Sequence, residues 1–369
     1  MENRLKAHEA SKSLGIEPAR FRFLETHCRD FLSASQLEVP QRYTSGDLKI
    51  LASADRLLKN GVSPSTLKTQ LTTLLREPSR WQSFLNGSMR GEPTSARLIS
   101  ITSGKGGVGK SNVALNLGVE LVRAGLRVAV LDADLGTANL HLMAGLTSGQ
   151  SLRHVISGNC SIEQIIATVP DGPDIVPGAS GIFELANLPH IKRQMLITEL
   201  RRLESRYDVV LIDTAAGVAG TVLDFVVSSD FVLVFTTAET TSITDAYALI
   251  KLASERNPSS AIGIVANRLR STREGVSTLG RISNCARRFL GRSVLEMGYI
   301  WEDSHVARAT NECVPFTVRY PDSRASRSIR KLAHLLCEKD IASPCLRERG
   351  TGFHVFVDRC STLAVGVAK

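Results

Sequence analysis

The sequence predicts an α/β protein: a doubly wound parallel sheet with helices on both faces, preceded by a small α-helical domain. Three observations lead there. Short runs of unbroken apolar residues recur along the chain, helical patterns alternate with them, and the first run opens into a glycine loop and then a helix. A run apolar at every position suits a strand buried on both faces, as in a parallel sheet.

Length and composition set the frame. The 369 residues fit two domains. With 43% hydrophobic and 22% charged residues, the chain can bury a sizeable core, which excludes a disordered or fibrous protein. The N-terminus MENRLKAHEA is charged and carries no apolar leader, and no run reaches the ~18 apolar residues of a spanning helix, so secretion and membrane spanning are disfavoured. Seven cysteines (Cys28, Cys160, Cys285, Cys313, Cys337, Cys345, Cys360) stand singly without CxxC, which reads as reduced thiols in a cytoplasmic protein. A net charge of +9 permits contact with nucleic acid or anionic lipid.

In chain order, residues 1–85 form the helical domain, 86–96 a linker, 97–340 the α/β domain and 341–369 a disordered or loosely packed tail. Ala7 to Gly15 is a short helix pattern, and Pro18 stands near the start of a second, so helix-turn-helix is the natural reading. Arg42 to Leu48 opens a third helix with Thr44 or Ser45 as its cap, and Gly61 to Ser65 opens a fourth. In the α/β domain, strands are expected at Leu98–Thr102, Arg127–Leu131, Val209–Ile212, Phe231–Phe235, Ala261–Val265 and Leu295–Ile300. Helices are expected at Asn112–Ala124, Ile191–Glu204, Thr244–Arg256, Val276–Leu290 and Arg324–Leu336.

The sharpest local signal is Gly104-Lys105-Gly106-Gly107-Val108-Gly109-Lys110-Ser111, which satisfies GxxxxGK[ST] between a strand and a helix. Glycines let successive N–H groups turn inward, and the helix adds its positive end, giving a concave site for a triphosphate. Lys110 supplies a point charge to the β and γ phosphates, the Ser111 hydroxyl ligates Mg²⁺, and Asn112 follows in the first helical turn. The domain is therefore a P-loop NTPase. Asp132 and Asp134 end the second strand and Asp213 ends another in the hhhhD pattern, delivering carboxylates toward the metal at the ligand-binding edge of the sheet.

Lys105 adds to the motif. KGGVGK resembles the deviant Walker A motif of the MinD/ParA family, whose fold is the SIMIBI type of P-loop NTPase. The resemblance implies ATP and Mg²⁺ as cofactors, slow ATP hydrolysis, and a homodimer when ATP is bound, with Lys105 crossing to the other subunit's phosphates. LDADLGTANLHLMAGL resembles the family's switch I, where the residue matching Asp134 positions the attacking water and those matching Asp132 and Asp213 hold Mg²⁺ through its waters. Asn267-Arg268 resembles the NR motif, whose Asn amide reads the adenine edge. Trp301 stands where the family has proline, so either the backbone differs there or the indole stacks on the base.

The resemblance covers Leu98 to Leu336. Within the family, LRSTREG, ARRFLGRSVLEMGYI and DSHVARATNECVPFTVRYPDSRAS look most like the FlhG (FleN, YlxH) flagellar-number regulators. It implies an FlhF-like GTPase or a transcription factor as protein partner. Mrp-type iron-sulfur carriers share the ATPase motifs but use a cysteine pair that this chain lacks.

Residues 5–76 resemble a MerR-type winged helix-turn-helix. By that alignment Arg20 and Arg22 face DNA and Arg42 and Tyr43 sit on the wing; the alternative is a module used for protein contact. Residues 1–92 carry net +4. A second basic tract, Arg268 to Arg292, carries seven arginines against Glu274 alone, and reads either as a non-specific DNA grip like that of ParA relatives or as a solvated helix face. FlhG and MinD relatives often end in a membrane-binding helix, but this tail is poor in Lys and rich in Val and Gly, which argues against membrane association.

Overall fold

A computed structural model describes residues 5–32, 42–59, 64, 67–76, 95–134, 139–147, 149–178, 190–258, 260–339, 341–342 and 352–353. The chain divides into two compact units, Met1–Thr94 and Ser95–Lys369.

The first unit is helical. Strand β1 (Leu5–Lys6) pairs antiparallel with β2 (Arg42–Tyr43), and four helices follow in order: α1 (Ala7–Leu14), α2 (Pro18–Cys28), α3 (Ser45–Lys59) and α4 (Leu67–Arg76). Gly15 ends α1 in the left-handed region (φ +62°), where its N–H and that of Ile16 reach back to Lys12 and Ser11 carbonyls. Pro18 opens α2, where its missing N–H leaves no helical bond unmade. Thr44 caps α3 reciprocally: its hydroxyl accepts from the Asp47 N–H (3.2 Å), and Asp47 accepts from the Thr44 N–H (2.8 Å).

Of the four residues expected at a DNA interface, Tyr43 sits otherwise. Tyr43 is fully buried, packed edge-on against Phe21 (5.4 Å), and its hydroxyl donates to the Glu25 carboxylate. It is a core residue, with no surface to offer a phosphate. Arg20 is held to the buried Asp55 carboxylate at 2.5 Å. Arg22 and Arg42 are exposed.

In the second unit, eight strands run in the order β10-β9-β8-β3-β7-β4-β6-β5 among the described residues. Their ranges are β3 (Arg97–Ser103), β4 (Val128–Ala133), β5 (Ala167–Thr168), β6 (Asp174–Val176), β7 (Val209–Ala216), β8 (Phe231–Thr236), β9 (Ala261–Leu269) and β10 (Leu295–Trp301). All pairings are parallel except β5 with β6. The six long strands fall on the predicted apolar runs. The antiparallel edge is an addition that the sequence reading did not contain.

Alternation explains why those runs are apolar throughout. On β3, β7 and β8, Ile99, Ile101, Leu211, Leu233 and Phe235 feed one core, while Leu98, Val210, Ile212, Val232 and Val234 feed the other face. Helices α5 (Lys110–Arg123) and α15 (Arg324–Glu338) cover the first. Helices α9 (His190–Arg206), α11 (Thr240–Arg256) and α12 (Thr272–Leu290) cover the second, together with α10 (Gly220–Ser228). Between α5 and α9, among the described residues, lie three short helices, α6 (Leu140–Met143), α7 (Leu152–Ile156) and α8 (Ile162–Ile165); α13 (Ser304–Asn311) and α14 (Phe316–Arg319) precede α15. Ser271 caps α12 by accepting from the Glu274 N–H, a contact worth ~1 kcal/mol, and Gly291 (φ +61°) ends the helix.

The described part of the tail is packed rather than loose. Ala342 joins the α15 core, and Phe353 is fully buried among α9 and sheet residues, with its N–H donating to Glu204 (2.8 Å). The remainder, including Cys345, Cys360, Phe356 and Val357, lies outside the described residues, as does most of the expected linker 86–96.

Candidate functional site

Strand β3 lies at the centre of the sheet, flanked by β7 and β8, and the glycine loop leaves its C-terminal end. Two glycines are dictated by space. A Cβ on Gly104 would stand 2.3 Å from the Asp245 backbone, and one on Gly109 (φ +92°) would stand 2.7 Å from the Asn267 amide nitrogen. Gly106 and Gly107 are exposed at the loop crest, and Val108 is buried beneath it. Helix α5 begins at Lys110, so its first N–H groups converge with the loop into an anion site. The Lys110 side chain is 9% exposed. Burial pulls its pKa down, opposed by the charges of Asp213 and Asp134. Asn112 accepts from the Thr310 hydroxyl at 3.1 Å.

Register brings the carboxylates together, because β4 and β7 pair in parallel with Asp132 opposite Asp213. Asp213 is 1% exposed; the Ser111 hydroxyl hydrogen-bonds to it, while its Oδ1 has no partner. Asp132 is engaged on both oxygens, by the N–H of Asp134 (3.2 Å) and of Leu140 (3.1 Å). It therefore ties Asp134 to Leu140, whereas the sequence reading gave it metal-bound water alone. Asp134 is half-buried at the mouth.

An enclosed carboxylate oxygen without a partner is costly unless a cation meets it. Ser111 and Asp213 are hard oxygen donors, too few for a closed cage, which suits an ion that keeps waters and phosphate oxygens in its shell, as Mg²⁺ does. The residues fit Mg²⁺.

Burial pushes Asp213 up to about 7, and burial together with the neighbouring Asp213 charge pushes Asp132 up to about 7. The folded chain thus keeps protons that the unfolded chain releases near 3.8, so this pair costs stability progressively as pH rises from about 4 to about 7. Asp213→Asn is expected to flatten that part of the nucleotide-free melting profile and to raise the melting temperature at pH 8. Thermal unfolding across pH checks it; an Asn variant that melts lower than the parent at pH 8 would contradict the assignment.

Lys105 Nζ lies 2.5 Å from Glu239 Oε2 and 3.2 Å from the Thr241 hydroxyl, at the N-cap and in the first turn of α11. The Asn267 amide is committed to the protein: its Nδ2 donates to the Val108 carbonyl (2.7 Å), and its Oδ1 accepts from the Arg268 N–H (2.8 Å). One donor hydrogen and one acceptor lone pair of the amide are thereby held by the protein. Arg268 adopts φ +59°, uncommon for a residue with a Cβ, and ion-pairs with Glu302 at 3.6 Å. Trp301 continues β10 in an extended conformation opposite Leu269, with the Arg324 guanidinium 4.2 Å over its ring. It lines a cleft of about 630 Å³ with Gly109, Asn112 and Asn267, beside the loop. A groove of about 660 Å³ between β10 and α15 is larger, but no residue of the glycine loop lines it.

Glu239 and Glu302 were not singled out in the sequence. Glu239 comes shortly after the end of β8, as Asp134 does after β4, which is the signal that could have found it.

A parallel sheet with this loop at its switch point, a buried lysine and paired strand-end carboxylates defines a P-loop ATPase. Residues 96–259 match a family described as an AAA domain. The chain is 37% identical over 237 residues to the antiactivator FleN of Pseudomonas aeruginosa, covering 64% of this chain and 85% of that one. It is 32% identical over 246 residues to the flagellum site-determining protein YlxH of Helicobacter pylori, covering 66% and 83%. The septum site-determining protein MinD of Pyrococcus horikoshii, solved with Mg-ADP, superposes with a TM-score of 0.55 at 28% identity over 65% of this chain and 96% of that one. The chain belongs to the MinD/ParA family of ATPases. It hydrolyses ATP, with ATP and Mg²⁺ as its cofactors.

Proposed function

We propose that the chain is an ATP-dependent dimerising switch that controls the number or position of a flagellum-type structure and couples this to DNA binding. Lys105 inside the glycine loop carries the reading, since it matches the MinD/ParA signature lysine that reaches the partner's phosphates. Similarity to an antiactivator and to a flagellum site-determining protein supports the process. The Lys105–Glu239 pair is exposed, hence weakened by water, so the lysine can leave it for a better anion.

In the assembled site the loop N–H groups and Lys110 bind and orient the phosphates, and Asp134 positions the attacking water in line. Asp132 keeps the Asp134 backbone in place. Ser111 and Asp213 would hold Mg²⁺, which when bound would offset phosphate charge. Hydrolysis then ends the dimer.

Sedimentation of the full chain tests this. A non-hydrolysable ATP analogue is expected to double the mass, Lys105→Ala to abolish the doubling while still binding nucleotide, and the DNA affinity of the intact chain to rise with the dimer. A chain solitary with and without analogue would sink the proposal; equal DNA affinity would remove only the coupling.

One observation favours a second reading, partition or positioning on non-specific DNA. Arg273, Arg281, Arg287 and Arg288 are exposed on α12, and none has an ion pair among the described residues. Steep salt dependence of dimer-bound DNA, without sequence preference, would favour it.

A further inference from the structure

We infer that Asn267 is a latch on the phosphate loop, a positioning residue whose first service is to the triphosphate whatever base it carries. The inference rests on the glycine loop holding phosphate.

Peptide geometry makes the argument. In a trans peptide the C=O and the following N–H point in opposite directions, so whatever fixes the Val108 carbonyl also fixes the Gly109 N–H. Asn267 Nδ2 takes that carbonyl at 2.7 Å. The Gly109 N–H is thereby aimed away from Asn267, among the loop amides that form the anion site. A 108–109 peptide turned over would present a carbonyl oxygen there instead, repelling phosphate.

Three further observations show that the contact is built in. The side chain is 6% exposed, so its hydrogen bonds do not compete with bulk water. Its Oδ1 accepts from the Arg268 N–H at 2.8 Å, which fixes which end of the amide faces the loop. Closeness to the loop excludes any side chain at 109, where a Cβ would meet Nδ2 at 2.7 Å. Strand β8 separates β9 from β3, so the latch ties the loop to a strand two places away in the sheet.

An amide has two donor hydrogens and two acceptor lone pairs, and the latch uses one of each. Adenine could still meet what remains. The two roles separate by ligand: a base reader matters only to ATP, whereas a latch matters equally to any ligand with the phosphates.

The test is calorimetric binding of Mg-ATP, Mg-GTP and magnesium tripolyphosphate to the full chain and to Asn267→Ala. Loss of one buried hydrogen bond to the loop should weaken all three by about tenfold, leaving the ATP to GTP ratio unchanged. Asn267→Asp keeps the acceptor but sets a carboxylate against the Val108 carbonyl, and should weaken all three at least as much. In the nucleotide-free chain, amide exchange at 108–110 should quicken in both variants while β3 and β7 stay protected, which separates a released loop from an unfolded one. Loss confined to ATP would overturn the latch in favour of base reading, and unchanged affinities in both variants would overturn it outright. If the unaltered chain bound none of the three ligands, the phosphate-loop assignment would fall, and the latch with it.

Discussion

Lys110→Ala is expected to abolish ATP binding at millimolar nucleotide while leaving the fold intact. The reason lies in what surrounds the ammonium. Its charge acts on the buried Asp213 and the half-buried Asp134, at the start of a helix whose N–H groups face the same site. Without it, a triphosphate would enter a pocket whose nearest side-chain charges are carboxylates. Removing one partner from a buried charge-assisted contact costs about 3 to 5 kcal/mol, or two to four orders of magnitude in affinity. The fold should survive because Asp213 and Asp132 already tend to hold protons near neutral pH, so losing the lysine strands little additional charge. Calorimetric titration with Mg-ATP, alongside far-ultraviolet circular dichroism, checks both halves. Retained micromolar binding would mean that the loop amides alone hold the phosphates.

How much of this was legible in the sequence follows from the range over which each signal acts. Strands buried on both faces leave unbroken apolar runs, so β3, β7 and β8 were placed to within a few residues at each end. Helix α10 escaped because Val222, Leu223, Phe225, Val226 and Val227 are all buried, leaving no polar stripe with a helical period. Strands β5 and β6, with two and three residues, are too short to show any period. The loop was legible because its residues are contiguous. Lys105 with Glu239 and Asn267 with Val108 were not, being 134 and 159 residues apart and joined only by the order of the strands. Phe353 escaped for the same reason, since its amide finds Glu204 across 149 residues. Tyr43 shows the opposite failure: the family pattern placed it on the wing, and packing against Phe21 placed it in the core.

Asp134→Ala should act with the opposite sign on binding and far more strongly on turnover. Asp134 stands directly after β4, with its N–H on Asp132, and its charge acts on both Lys110 and Asp213. Removing one carboxylate from that cluster lessens repulsion toward a triphosphate, so ATP affinity should hold or increase. Asp132 accepts from the backbone N–H of residue 134, which alanine keeps, so that contact survives the substitution. Hydrolysis loses the group that positions water, a contribution of about 10²- to 10⁴-fold in general acid–base and orienting roles. Tight binding without turnover would trap the dimer. The variant is therefore expected to sediment as a persistent dimer with ATP itself, where the unaltered chain decays to monomer as substrate is consumed. A variant that stays monomeric with ATP, or one that turns over normally, would remove Asp134 from the mechanism and return it to the role of a strand-end surface charge.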